Sequence, residues 1–548
     1  VGTSEPATGN DRVSRPAIFQ DPSAKTSYVG MGLFAASLLA GFAFTRNSKG
    51  LPLDDAYIHL VFARNLGSGQ GFSFNPAEFS LGFSSPLWVM LMAAMQWLSA
   101  DLVSASRNLS IIFSAGSAAL LYMIVRSSIA NGEKRRMNEA LAILSALVFI
   151  ASGNMLWLAA AGMEASLYLF LGLLAILLLQ SEYPRPVLGG IALGLALLTR
   201  AEALSLWIFL AMQGLLYFKR GARFQVPCIM AVALAAPWCV FSYLKTGWAL
   251  PATAAGKIAS DLFNSGFSIK GISIFIFRHL VYLARFDQGI ALLLAAALLA
   301  AVSLVLVLKR GASRAGRPAS ASLFLSPAAA LMAWAILNLG GHALIFRSTA
   351  IITPYNNLRY QPMLIPAIIA AAVLALSRLD QASPRRRATS LLAMILPAAA
   401  LLMEMGGIGE WRTLYSRQVD QLQKEHRASA EWARAELPPN ARIAALDIGL
   451  LGFYSNRYVI DLGGLIDPAI RKDLRAHRTG SYLVKRGATH YFHLVRHDSE
   501  KITGVKKDDG VLYRLRLLES FNYPSFPEPV FLHSFGIEAC EVMPLPGN

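Results

Sequence analysis

Two adjacent carboxylates, Asp54 and Asp55, stand in the run LDDAYIHLVFARNLGSGQGFSFNP, directly after the first apolar stretch long enough to cross a bilayer. Neighbouring carboxylates repel, and their burial is disfavoured unless a cation, a proton or a donor group offsets them. Such a pair beside lipid points to chemistry. A carboxylate there can serve as general base, taking the proton of an acceptor hydroxyl as its oxygen attacks. His59 and Arg64 follow in the same run, which reads as an amphipathic helix. The plain alternative is a helix cap, a role that Asp often fills and that needs only one of the two; both roles can hold together.

Further charges interrupt apolar runs. Glu164 lies in SGNMLWLAAAGMEASLY, at the turn between two such runs. An acid there is expensive and is either functional or a boundary residue facing water. It can position an acceptor or join the first pair around a divalent cation. Arg200 and Glu202 lie in LLTRAEALS and read either as site residues or as an ion pair joining two helices. Lys257 in WALPATAAGK and Arg359 in TPYNNLRYQP are isolated cations of the kind a lipid phosphate needs, unless they snorkel to headgroups. His490, His493 and His497 form no metal constellation, because the first two point to opposite faces of a strand. The chain has no C-x-x-C, no Walker-type phosphate loop, no strand-linked G-x-G-x-x-G and no G-x-S-x-G elbow. If the chain is an enzyme, its energy-rich substrate therefore arrives from the membrane.

The elements that hold these side chains are membrane helices. Of the 548 residues, 55% are hydrophobic and 15% charged, with a mean hydropathy of +0.46, against roughly 25% charged in soluble domains. Apolar runs at 27–46, 107–126, 140–157, 165–180, 187–202, 203–218, 225–244, 287–308, 322–341, 362–378 and 389–405 predict about eleven spans. The segment 86–100 is short and begins with Pro86; it reads as a helix along the interface with Trp88 and Trp97 as anchors. The net charge of +17 is scattered between apolar runs, which excludes a nucleic-acid face. With residues 1–26 as a cytosolic tail, the clusters at 134–136, 219–223, 309–317 and 385–387 fall in inner loops. An odd span count then places the first outer loop (47–106) and everything after 405 outside the cytosol. Residues 406–548 read as a soluble α/β domain, with a polar helix over about 412–436 and strands at 442–445, 458–460 and 490–494. The expected fold is thus mostly α: a polytopic module over 27–405 and an extracytoplasmic α/β domain over 406–548.

The blocks LDDAYIHLVFARNLGSGQGFSFNP, GFSSPLW, GMEASLY, LLTRAEAL, LPATAAGK, LRYQP and ALDIGLLGFYSNRYVIDLGGLIDP resemble the GT-C superfamily of polytopic glycosyltransferases over most of the chain. Within it the chain is similar to the actinobacterial-type terminal arabinofuranosyltransferases. The resemblance implies an inverting transfer of a sugar, arabinofuranose in that subgroup, from a polyprenyl-phosphate donor to an extracytoplasmic glycan, lipid or protein, at a bacterial inner membrane. It implies Asp54 as general base with Asp55 in support, and Glu164 as the second acid. Lys257, Arg200 and Arg359 would hold the donor phosphate, with His59, Arg64 and Glu202 as further site residues. Ala201 stands where the motif commonly has Pro. No cofactor is implied with certainty, and the need for a divalent cation stays open because relatives differ on it. Two other classes compete: a lipid-linked sugar transporter or flippase, expected to carry its charges at the midplane, and a non-catalytic scaffold for envelope assembly.

Overall fold

The computed structural model describes residues 24–98, 101–129, 134–180, 184–216, 222–249, 268–311, 326–345, 357–383, 386–467, 470, 479–496, 504–508, 511–522 and 535–544. The chain opens with α1 (Ala24–Thr45), then α2 (Asp54–Gly67) and α3 (Pro86–Leu98). α4 (Leu102–Ile129) follows, and then α5 (Arg135–Ala151) and α6 (Gly153–Ala160), which meet at a 58° bend. The Ser152 hydroxyl caps α6 by accepting from the Met155 N–H. Next come α7 (Ala165–Gln180), α8 (Pro186–Thr199), α9 (Leu204–Leu216) and α10 (Ala222–Thr246). The helical part ends with α11 (Ile269–Phe286), α12 (Gln288–Gly311), α13 (Pro327–Ile345), α14 (Leu364–Ala382) and α15 (Arg386–Leu422).

Among the described residues, seven helices are long and apolar enough to cross a membrane, and the bent α5–α6 pair makes an eighth. The remaining apolar runs of the eleven expected include shorter helices among the described residues. α7, α8 and α9 have 16, 14 and 13 residues, about 20–24 Å at 1.5 Å per residue, short of roughly 30 Å of hydrocarbon. α11 has no counterpart among the expected runs. Lys270, Arg278, His279 and Arg285 interrupt its apolar residues, and it turns Phe275, Tyr282 and Leu283 inward. Trp88 is no interfacial anchor: it is fully buried, in the core that α2 and α3 share. Trp97 is exposed and donates its indole N–H to the Gly67 carbonyl.

The polar helix expected over 412–436 is not separate. α15 carries the chain without a break from the apolar stretch into the polar one, and a π turn (Gln423–Arg427) leads to α16 (Ala428–Glu436). After it come β1 (Arg442–Ala445), α17 (Gly449–Tyr454), β2 (Tyr458–Asp461), α18 (Thr479–Lys485), β3 (His490–Arg496), β4 (Gly504–Asp508), β5 (Val511–Asn522) and β6 (Phe535–Pro544). The sheet runs β2-β1-β3-β6-β5-β4. β1 is parallel to β2 and β3, whereas β6, β5 and β4 pair antiparallel. A parallel pair cannot be joined by a tight turn. Residues 446–457 make the crossover, and that requirement places α17 against α2.

The sheet domain is anchored to the helical part by packing. One apolar core includes Trp157, Trp411 and Tyr415 as well as Ile443 and Val459. The Trp157 indole donates to the Gln418 side chain at 2.7 Å, and the Trp411 indole donates to the Phe286 carbonyl at 3.0 Å. Gly153 permits this approach, since a Cβ there would sit 1.9 Å from the Trp411 ring.

Candidate active site

α2 begins at its carboxylates and ends near Arg64. Asp54 is buried, and both its oxygens accept backbone N–H groups at 2.7 Å, one from Gly449 and one from Leu450. These are the first N–H groups of α17, which lack intrahelical acceptors. Ten residues on, the Arg64 guanidinium donates to the carbonyls of Phe453 (2.8 Å) and Gly452 (3.2 Å). α2 therefore holds the short helix at both ends, with a carboxyl at its N-terminus and a guanidinium at its C-terminus. Gly449 is required: a Cβ there would lie 2.0 Å from the Asp54 carbonyl oxygen. Burial and the nearby Asp447 push the Asp54 carboxyl up to about 7, while His426 and the two N–H donors pull it down.

This geometry departs from the expectation of Asp54 as base: both its oxygens are engaged by the α17 backbone, and the side chain is buried. His59 is also structural: its Nδ1–H donates to the Asp55 carbonyl at 3.2 Å, and its Nε2 faces the Ser84 hydroxyl at 3.4 Å. It pins the loop returning from α2 to α3.

Successive helix residues are turned by about 100°, so Asp55 faces the other way. It is half-exposed, and its carboxylate lies 2.8 Å from the Arg359 guanidinium. Arg359 is buried in the turn before α14, donates to the Tyr360 hydroxyl at 2.9 Å, and stacks over the Tyr360 ring at 4.9 Å. Arg200 lies over the same ring at 5.2 Å. Its guanidinium donates to Glu164 at 2.6 Å and to Glu202 at 2.8 Å. His342 on α13 lies 3.8 Å from the Glu202 carboxylate.

The backbone explains why these groups converge. α8 ends at Arg200, whose extended conformation (φ −150°, ψ 133°) breaks the apolar run before a 3-10 turn leads into α9. The break swings the guanidinium inward. Gly162, at φ 66°, makes the left-handed turn that brings Glu164 to the start of α7. Glu164 is fully buried, and its Oε2 has no hydrogen-bond partner.

Asp55, Glu164, Arg200, Glu202 and Arg359 thus form one cluster of three carboxylates and two guanidiniums on a shared tyrosine ring. Asp54, His59 and Arg64 stand apart from it, and Lys257 lies outside the described residues. Tyr360 and His342 were not anticipated. Tyr360 adjoins Arg359 in LRYQP, and His342 is a polar residue inside an apolar helix, the kind that signals function. Among the described residues, no group of three or more His, Cys, Asp or Glu side chains is placed to hold a metal ion.

A family model described as a domain of unknown function (DUF8728) matches residues 412–526, the end of α15 and most of the sheet domain. No curated protein matches the sequence. Among solved structures, ArnT from Cupriavidus metallidurans aligns in its apo state and bound to undecaprenyl phosphate. In each case the TM-score is 0.53 at 12% identity, over 94% of this chain and 98% of ArnT. The oligosaccharyltransferase of Archaeoglobus fulgidus, in complex with Zn and sulfate, aligns at a TM-score of 0.46 and 13% identity, over 84% of this chain and 67% of that one. At such identities the likeness to ArnT is one of fold, and it extends over nearly the whole of both chains. The protein is a multi-pass membrane protein with the GT-C fold.

Proposed function

We propose that the protein is an inverting glycosyltransferase that moves a sugar from a polyprenyl-phosphate donor to a hydroxyl acceptor. Asp55 is the general base, and Arg359 and Arg200 hold the donor phosphate. The observation that carries this is the contact between Asp55 and Arg359, a half-exposed carboxylate against a buried cation. A phosphate reaching Arg359 competes with Asp55 for the same guanidinium. Its arrival therefore occupies the cationic site and releases the carboxylate that the acceptor needs.

In the reaction, Asp55 takes the acceptor O–H proton as that oxygen bonds to the anomeric carbon, on the face opposite the phosphate. The bond from carbon to phosphate oxygen breaks, and its electron pair leaves on the phosphate. The guanidiniums stabilise that developing charge. Glu164 and Glu202 orient Arg200 through their ion pairs, and Tyr360 keeps both cations on one ring. Lys257 is a further cation for the phosphate, as its place in LPATAAGK suggests. The ArnT structure bound to undecaprenyl phosphate supports a polyprenyl-phosphate partner on this fold. The motif resemblance favours arabinofuranose as the sugar, an extracytoplasmic glycan as the acceptor and a bacterial inner membrane as the location, with the sheet domain outside the cytosol.

The test is sugar transfer from polyprenyl-phosphate arabinofuranose by the purified full-length protein in lipid nanodiscs. Asp55→Asn is expected to reduce turnover by about 10²–10⁴-fold with the thermal unfolding midpoint kept. Turnover by Asp55→Asn within threefold of the parent would remove Asp55 as base.

A further inference from the structure

A cavity that shares no wall residue with the charged cluster lies between the loop after α2 and the sheet domain. Its volume is about 420 Å³, and Asn75, Glu78, Phe79, Asp461, Asp467 and Arg486 are among its walls. That volume is within the range of small-molecule sites, roughly 300–1,000 Å³. The cavity lies toward the Arg64 end of α2, where Phe74 packs against Phe62 and Gly452.

Its walls are built and fixed. The Asn75 side chain donates to the Val459 carbonyl at 2.8 Å and accepts the Val459 N–H at 2.9 Å, so the loop is tied to β2. Glu78 accepts from the Tyr458 hydroxyl at 2.6 and 2.7 Å. Asp467 pairs with Arg486 at 3.0 Å. Asp461 is fully buried and engaged by the N–H groups of Gly463 (2.7 Å), Leu465 and Ile466 (2.8 Å), which leaves Glu78 as the more accessible acceptor. Phe79 leaves nearly half its surface exposed. Two buried polar atoms here, Ser80 Oγ and Arg486 Nε, make no hydrogen bond among the described residues.

The chemistry of these walls selects the ligand. Carboxylates have lone pairs to spare beyond one partner, and they accept from hydroxyl groups. An exposed ring offers an apolar surface to the C–H face of a sugar. Arg486 is already paired with Asp467, so no wall guanidinium is left open for an anionic ligand, and the Glu78 carboxylate disfavours one. The ion-paired Arg486 at the same wall also opposes a metal cation, and no metal-holding group occurs among the described residues.

We propose that this cavity binds a neutral, hydroxyl-rich segment of the acceptor glycan, away from the point of transfer. This rests on the transferase reading above and makes the acceptor a chain of several sugars, long enough to reach from the cavity to Asp55.

Binding is measured on the full-length protein in nanodiscs without donor, by saturation-transfer NMR and calorimetry. The probes are short neutral oligosaccharides (arabinan, galactan, glucan and mannan fragments), with polygalacturonate fragments as the acidic comparison and chitosan fragments as the cationic one. At least one neutral oligosaccharide should bind saturably. Glu78→Gln and Phe79→Ala should each weaken it tenfold or more, while Asp55→Asn leaves it in place. Tyr458→Phe, which keeps the ring and its packing, should weaken it less, by releasing the Glu78 carboxylate. Failure of every neutral oligosaccharide to bind, tighter binding of an acidic or cationic one, or parental affinity in both Glu78→Gln and Phe79→Ala would overturn the proposal. Because no turnover is needed, this outcome is separable from the fate of Asp55 as base.

Discussion

Substituting Asp54 by Ala should loosen the sheet domain from the membrane helices rather than stop chemistry directly. The carboxylate makes two short bonds, each 2.7 Å, to the first N–H groups of α17. A hydrogen bond to a charged group contributes about 1.5–3 kcal/mol, and a buried donor left without an acceptor costs about 1–3 kcal/mol. These figures overlap, since part of the first is the second, so removing the carboxylate should weaken the α2–α17 contact by about 3–5 kcal/mol. At 1.4 kcal/mol per factor of ten, local opening at α17 should rise by about a hundredfold or more. Hydrogen exchange read by mass spectrometry on peptides covering 442–461 reports this directly, since such amides exchange through local opening. Arg64→Ala should raise exchange in the same peptides by less, because its bonds lie at a half-buried end. Asp55→Ala should not change them at all. If Asp54→Ala abolished transfer while exchange over 447–454 stayed within threefold of the parent, the docking role would be refuted and the base role restored to Asp54.

Three further outcomes follow from the same contacts. Glu164→Ala removes the buried partner of Arg200, leaving Glu202 as its remaining carboxylate; breaking a buried pair costs about 3–5 kcal/mol, which should appear as a lowered thermal midpoint in nanodiscs. Gly449→Ala places a Cβ 2.0 Å from the Asp54 carbonyl, so it should reproduce the exchange pattern of Asp54→Ala even though the carboxylate is intact. The third concerns pH. Burial and Asp447 raise the Asp54 carboxyl from 3.8 to about 7, so the folded state holds the proton more tightly than the unfolded chain does. Its contribution is fully present below about pH 4 and is lost as pH rises to about 7. The midpoint difference between the parent and Asp54→Asn should therefore shift across that interval and level off above it.

Much of the charged cluster was legible because acids and arginines are costly in apolar runs, so Glu164, Arg200 and Arg359 stand out by composition alone. The separate tasks of Asp54 and Asp55 were not legible. They depend on helix phase, which turns neighbours to different sides, and on α17, whose bonded N–H lies 395 positions away in the chain. Hydropathy alone located the runs 187–202 and 203–218, which part near the extended Arg200, but did not show that they fold as helices of only 14 and 13 residues. α11 failed in the opposite sense: its charges hid a real helix from a window that sums hydropathy. In the domain, β1 to β3 were found because each carries a short block of apolar residues between turn residues, whereas β4 and β5 interleave Lys, Arg and Glu with their apolar residues. The placement of the two acids has one consequence for catalysis. α2 offers Asp54 to the sheet domain and Asp55 to Arg359 from consecutive residues, so a rigid α2 cannot shift toward one partner without moving relative to the other.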